Sequence, residues 1–184
     1  MPRFSLSAVG VDRPGIVAAV SGALAGLGGN LEDSTMTFLQ GQFAILLVVE
    51  TAPHVTTSML EGALVPAADR FDLVVTVRAL DDQNVSSAAS VEGDGGTPWT
   101  IAVHGADRTG IVHGVTSALA DAGGNVVDLS THLVGAPEAP MYVMTLRVTL
   151  PGHPDPEAAA ERVRASAEAL GVHCSVRPDD ADTL

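Results

Sequence analysis

The sequence predicts an α+β chain built from two successive βαββαβ units, and three observations predict it. An internal repeat runs at an offset of 95 residues: Gly10-Val-Asp-Arg-Pro-Gly-Ile-Val17 returns as Gly105-Ala-Asp-Arg-Thr-Gly-Ile-Val112, and 14 of the 24 positions from Gly10 to Asp33 are identical in the copy. Within each copy, apolar residues switch between period two and helical spacing in the order strand, helix, strand, strand, helix, strand. The 184 residues are 46% hydrophobic and 17% charged, which is ample for a packed interior. The repeat divides the chain into units at 1–80 and 98–178. The segment 81–97, rich in Ser, Gly and acid, reads as a solvated linker, and 179–184 as an acidic solvated tail.

The first unit opens with Phe4, Leu6 and Ala8 alternating with Ser5 and Ser7, the signature of a half-buried strand. Ile16, Val17, Val20, Leu24 and Leu27 then share one helical face, and Gly28-Gly29 stops the helix. A strand is expected from Asn30 to Leu39. After a turn at Gly41, the run Phe43–Val49 reads as a central strand that ends before Pro53. Met59, Leu60, Ala63, Leu64 and Ala67 mark a second helix, and Phe71, Leu73, Val75 and Val77 a last strand. The second unit repeats this with Trp99, Ile101 and Val103, then Ile111, Val112, Val115 and Leu119, and a hairpin lengthened by Gly135–Pro140 so that Tyr142 replaces Phe43. Ala159, Val163, Ala167 and Leu170 form its last helix, and Val172 to Arg177 its last strand. Such units suggest ferredoxin-like domains, each a four-stranded antiparallel sheet with two helices on one face.

Charge and composition exclude several functions. A net charge of −13 repels nucleic acid phosphates and anionic lipid, so neither direct nucleic acid binding nor a membrane role is expected. All nine basic residues are Arg, which removes Schiff-base and P-loop lysines. The single Cys174 can form neither an internal disulfide nor a cysteine zinc site, and it reads as a small buried hydrophobe. The 18-residue uncharged run Pro14–Leu31 contains five glycines and reads as a helix and turn, not a membrane span. With no secretory signal in the first residues, a cytoplasmic location is expected.

The recurring loop joins a strand to a helix start, where free backbone N–H groups and the macrodipole attract anions. Pro14 suits a first helical turn, and Gly15 permits close approach to the backbone. A helix end for a carboxylate, beside Asp12 and Asn30 for an ammonium group, makes an amino acid a chemically sensible ligand. The motif G-V-D-R-P-G-I-V followed by G-G-N-L-E-D-S resembles the ACT domain, a small regulatory module that commonly binds amino acids. Two copies without an appended enzyme resemble tandem ACT proteins of the glycine cleavage system transcriptional repressor type.

That resemblance implies a non-enzymatic regulator without a cofactor, whose ligand sits where two ACT units meet. It places candidate ligand contacts at Asp12, Arg13, Pro14, Gly15, Ile16, Asn30 and Leu31. In the second unit they fall at Asp107, Arg108, Thr109, Gly110, Ile111, Asn125 and Val126. Thr109 departs from the proline of the motif, so the two sites need not be equivalent. It also implies side-by-side pairing of units, a homodimer or higher homo-oligomer, and a transcription factor as partner.

Bland roles stand beside these. Asp12 and Asp107 fit helix caps as well as ligand contacts. Asn30 and Asn125 fit a left-handed turn, Arg13 and Arg108 fit solvent, and the glycines fit backbone geometry alone. His104, His113 and His132 lack the spacing of a zinc site, and no nucleophile with a matching base stands out. A ligand-free interaction scaffold and a regulatory subunit of an amino-acid enzyme are the rival functions.

Overall fold

In the first unit the alternation of Phe4, Leu6 and Ala8 becomes strand β1 (Arg3–Val11), followed by α1 (Ile16–Gly26), β2 (Asn30–Leu39), β3 (Gln42–Glu50), α2 (Thr57–Phe71) and β4 (Val74–Leu80). The second unit contains β5 (Pro98–Ala106), α3 (Ile111–Asp121), β6 (Asn125–Val134), β7 (Met141–Thr149), α4 (Pro156–Ala169) and β8 (Val172–Pro178). The structure, a computed structural model, describes residues 1–80, 98–136, 138–150 and 156–179. The chain divides into two compact units, Met1–Val85 and Ser86–Leu184. The expected linker, 81–97, lies outside the described residues, as does most of the expected tail. Its first residue, Asp179, is described and is not a free solvated end: its N–H donates to Pro98 O at 2.8 Å and its carboxylate accepts from the Thr100 hydroxyl.

The two sheets have the antiparallel orders β2-β3-β1-β4 and β6-β7-β5-β8. This is the expected α+β ferredoxin-like plan, and β3 and β7 are interior strands as their apolar runs suggest. Each core lies on one face only. Phe4, Leu6 and Ala8 of β1 and Phe43, Ile45, Leu47 and Val49 of β3 are buried beneath Ile16, Val20 and Leu24 of α1 and Leu60, Leu64 and Ala67 of α2. Each large side chain in such a set contributes roughly 1.5–3 kcal/mol by leaving water. In the second unit Trp99, Ile101, Val103, Met144, Leu146 and Val148 are packed in the same core as Ile111, Val115, Leu119, Val163 and Ala167. Among the described residues no helix is long and apolar enough to cross a membrane.

Both first helices end the same way. Gly28 has φ 71°, its N–H bonds Ala25 O at 2.9 Å, and the Gly29 N–H bonds Leu24 O at 3.0 Å. Gly123 (φ 75°) and Gly124 repeat these bonds to Ala120 and Leu119 at 2.8 and 2.9 Å. This is a Schellman motif, in which the left-handed residue turns the chain and two terminal carbonyls are satisfied. The second glycine of each pair is required for a different reason. A Cβ at Gly29 would stand 2.8 Å from Val49 Cγ2, and one at Gly124 would stand 2.4 Å from Leu119 Cδ1.

The exit from α2 departs from the sequence reading. Phe71, expected to begin the last strand, is the buried final residue of α2, and the strand starts at Val74. Asp72 takes a left-handed conformation (φ 55°, ψ 55°) and the Leu73 N–H bonds back to Ala68 O at 3.0 Å. The period-two pattern of Phe71 and Leu73 comes from two core residues flanking this reversal. Gly22, inside α1 with open space around it, separates helix propensity from turn geometry. Gly22→Ala is expected to stabilise the first unit by about 0.5–1 kcal/mol and Gly28→Ala to destabilise it by roughly 1 kcal/mol or more, measured by denaturant unfolding.

Candidate functional site

The loop after β1 is set by one backbone angle. Gly15 is the N-cap residue of α1 at φ 99°, ψ −5°, and Gly110 holds the same place before α3 at φ 96°, ψ −1°. Glycine alone enters that region without strain. Pro14 therefore lies before the helix in the turn, not in its first turn, because a residue with Gly15's φ cannot sit inside a right-handed helix. Neither α1 nor α3 has a side-chain cap, so Asp12 and Asp107 do not serve as helix caps. By contrast, the Thr56 hydroxyl accepts from the Met59 N–H at 3.3 Å and caps α2. The Ile16 N–H closes onto Arg13 O at 3.4 Å, and no side chain caps the N–H groups that follow it in α1 or those that begin α3; Asp12 and Asp107 are exposed in the preceding loops, with Thr109 exposed in the place of Pro14. Ile16 and Ile111 turn their side chains into the cores, at 1% and 2% exposure, so a ligand meets only their backbone.

The two arginines of the motif diverge. Arg108 crosses to the end of α4, where its Nη1 donates to Leu170 O at 3.3 Å, and a Cβ on Gly171 would stand 2.7 Å from that nitrogen. It places positive charge where the carbonyl ends of a helix favour it. It therefore has a structural partner while remaining exposed. Arg13 is exposed, and its guanidinium has no partner among the described residues.

Asn30 and Asn125 open β2 and β6 in extended backbone, opposite Glu50 and Thr149. The left-handed positions belong to Gly28 and Gly123, so holding that turn is not the asparagines' task. Both strands carry an irregularity the sequence did not reveal: the register shifts between Leu31 and Asp33 and between Val126 and Asp128, leaving Glu32 and Val127 as extra residues. Such bulges bend an edge strand and redirect its side chains. Their only sequence signal is that the repeat keeps Asn and Asp three residues apart while the residues between them change.

Asp12 and Asn30 are not brought together within one unit. Asn30 lies in the cross-strand row of Glu50 and Arg3, at the start of β1, whereas the loop leaves the far end of β1 after Val11. The eight residue steps from Arg3 to Val11 span roughly 25 Å. The same holds for Asn125 and Asp107, so no ligand the size of a free amino acid touches both residues within one unit.

The second loop has a polar neighbour that the first lacks. Tyr142 stands opposite Gly105, where Phe43 stands opposite Gly10 in the first unit. Burial raises its phenol pKa first, the charge of Asp107 raises it further, and Thr131 works the other way. Cys174 packs against the core, and burial pushes its pKa up to about 11, with Arg164 opposing the shift. Among the described residues no group of three or more His, Cys, Asp or Glu could hold a metal ion, although His104 and His173 stack with ring centroids 5.3 Å apart.

The fold is a duplicated α+β βαββαβ module in which no side chain caps the first helix of either copy. Family models described as the ACT domain match residues 3–78 and 99–168, and the chain belongs to the ACT domain family as a tandem pair. The ACT domain is a non-catalytic regulatory module. A UPF0237 protein of Methanopyrus kandleri is 34% identical over 82 residues, covering 44% of this chain and 91% of its own. A UPF0237 protein of Methanosarcina mazei is 29% identical over 90 residues, 49% of this chain and 82% of its own. Among solved structures, an unknown protein from Galdieria sulphuraria is 28% identical with a TM-score of 0.79, covering 97% of this chain and 99% of its own. A "putative glycine cleavage system transcriptional repressor" has the same fold, with 19% identity, a TM-score of 0.65 and 96% of each chain covered.

Two outcomes check this geometry. Arg108→Ala is expected to destabilise the second unit by about 0.3–1 kcal/mol in denaturant unfolding, and Arg13→Ala to leave the first unit unchanged. A thiol with a pKa near 11 is almost wholly protonated at neutral pH. Alkylation of Cys174 by iodoacetamide in the folded protein is therefore expected to run on the order of 100-fold slower than in the unfolded chain.

Proposed function

We propose that this chain is an amino-acid-responsive regulator that acts on the transcription or metabolism of amino acids through protein contact. The observation that carries the reading is the duplicated, uncapped helix N-terminus beside an exposed aspartate, which offers N–H groups to a carboxylate and a carboxylate to an ammonium group. Asn30 and Asn125, with Leu31 and Val126, would supply the other half of each site from a neighbouring ACT unit. Pairing of units into a homodimer or higher homo-oligomer follows from that need. Ligand binding then favours one arrangement of units over another, and the partner reads the difference.

The glycine cleavage type is the finer part of the reading. It is supported by the motif resemblance and by the description carried by a solved structure of like fold. The net charge of −13 favours a protein partner such as a transcription factor over DNA itself, in a cytoplasmic setting. The committed Arg108 and the Thr109 substitution favour unequal sites in the two units.

Calorimetric titration of the purified protein with glycine, serine and the remaining amino acids, one at a time, tests this. Saturable binding is expected, reduced at least about ten-fold in affinity by Asn30→Ala or Asn125→Ala while the variants keep their unfolding midpoint. Heat silence across the whole panel from folded protein would overturn amino-acid sensing and leave the interaction scaffold as the function.

A further inference from the structure

The helix-free face of the first sheet is apolar in its middle and charged at one end; the second unit shares the charged end, where Asp128, Arg147 and Arg177 lie in one row, but not the apolar middle. One cross-strand row reads Thr37–Ala44–Val9–Val74, and the next reads Thr35–Leu46–Ser7–Thr76. The corresponding rows of the second unit read His132–Val143–His104–His173 and Ser130–Thr145–Ala102–Ser175. Val9, Leu46 and Val74 on the first face are 44%, 47% and 73% exposed, and Val11 and Leu39 beside them are 48% and 63% exposed. An open depression of about 240 Å³ lies there, lined among others by Val9, Thr35, Ala44 and Leu46. Apolar side chains grouped on one face at such exposure mark a contact surface. The second unit keeps exposed apolar side chains at the hairpin end of its face, Val134 and Met141 at 41% and 43%, but not in the two middle rows, so the fold does not demand them there.

The charges at the end of this face say what covers it. The next row is Asp33–Val48–Ser5–Arg78, and beyond it Glu50 pairs with Arg3. Glu32, the bulged residue of β2, stands 4.0 Å from Arg3. The β2–β3 side of the face is therefore acidic and the β1–β4 side basic. A two-fold axis parallel to the strands, lying between two stacked faces, carries β2 of one copy over β4 of the other. It sets Asp33 of each copy against Arg78 of its mate, and Arg78 has no partner among the described residues of its own chain. Sheets stacked in this way lie about 10 Å apart with their inner side chains interleaved. The face complements itself, which a surface shaped for a foreign partner has no reason to do.

We infer that the helix-free face of the first sheet is a self-association surface, on which a second copy of this chain docks face to face about a two-fold axis parallel to the strands. The apolar rows supply the buried centre, and reciprocal Asp33–Arg78 pairs fix the direction. The contact does not depend on an amino-acid ligand.

Sedimentation of the full chain without amino acids tests it. Leu46→Asp is expected to halve the particle mass at micromolar concentration with circular dichroism unchanged, and Thr145→Asp, the same change on the second unit's face, to leave the mass alone. Arg78→Asp alone is expected to weaken association at least about ten-fold, and Asp33→Arg with Arg78→Asp to restore it. A wild-type chain that stays monomeric overturns the inference. So does an oligomer whose mass Leu46→Asp leaves intact, and so does a double exchange that fails to recover association. Amino-acid binding read by calorimetry on the Leu46→Asp variant separates this outcome from the fate of the sensing function.

Discussion

Two helices cover one face of each four-stranded sheet, and the described residues of the unit leave the other face uncovered. From that constraint follows the strict alternation of β1, in which Phe4, Leu6 and Ala8 are buried and Ser5, Ser7 and Val9 are not. The edge strand β2 is exposed along its whole length, so Met36 and Phe38, at 56% and 61% exposure, gain little from their own unit. An edge strand with free backbone groups and uncovered apolar side chains invites pairing with another copy of the unit. The module is thus stable around its core but chemically incomplete at its edge and its open face, and any function has to be sought there.

The fold was legible because one-sided burial writes itself into the sequence as period two under period 3.6, and because the repeat tested each assignment twice. What escaped was set by single backbone angles and by contacts distant in sequence. Pro14 looked like a helix start because nothing in the sequence shows that Gly15 holds φ at 99°. Phe71 looked like a strand residue because a left-handed Asp72 places two apolar residues two apart. The reach of Arg108 to Leu170 spans 62 positions and has no local signature. The bulges at Glu32 and Val127 were hidden because one extra residue in an edge strand changes no composition. The candidate site was legible as a list of residues, but not as a place, since the list joins elements at opposite ends of the sheet.

That separation bears on why the module is duplicated. A loop that can hold a carboxylate and an asparagine that can hold an amine lie roughly 25 Å apart in one unit, too far for any free amino acid to bridge. On the proposed reading a single unit would hold two half-sites, and binding energy in a ligand shared by paired units would act on their arrangement.

Divergence between the copies then carries information that duplication alone would not. Where the first unit has Pro14, Phe43 and an Arg13 with no partner among the described residues, the second has Thr109, Tyr142 and an Arg108 tied to the end of α4. Where the first open face is lined by Val9, Leu46 and Val74, the second presents His104, Thr145 and His173. The cores stay apolar while their side chains change size, Phe4, Ala8 and Ile45 answering to Trp99, Val103 and Met144, whereas the surfaces change polarity, because a polar group buried without a partner costs more than a repacked apolar one. In this chain the middle of the open face carries exposed Val9, Leu46 and Val74 on the first unit and His104, Thr145 and His173 in the matching rows of the second, so the same fold presents two chemically different surfaces.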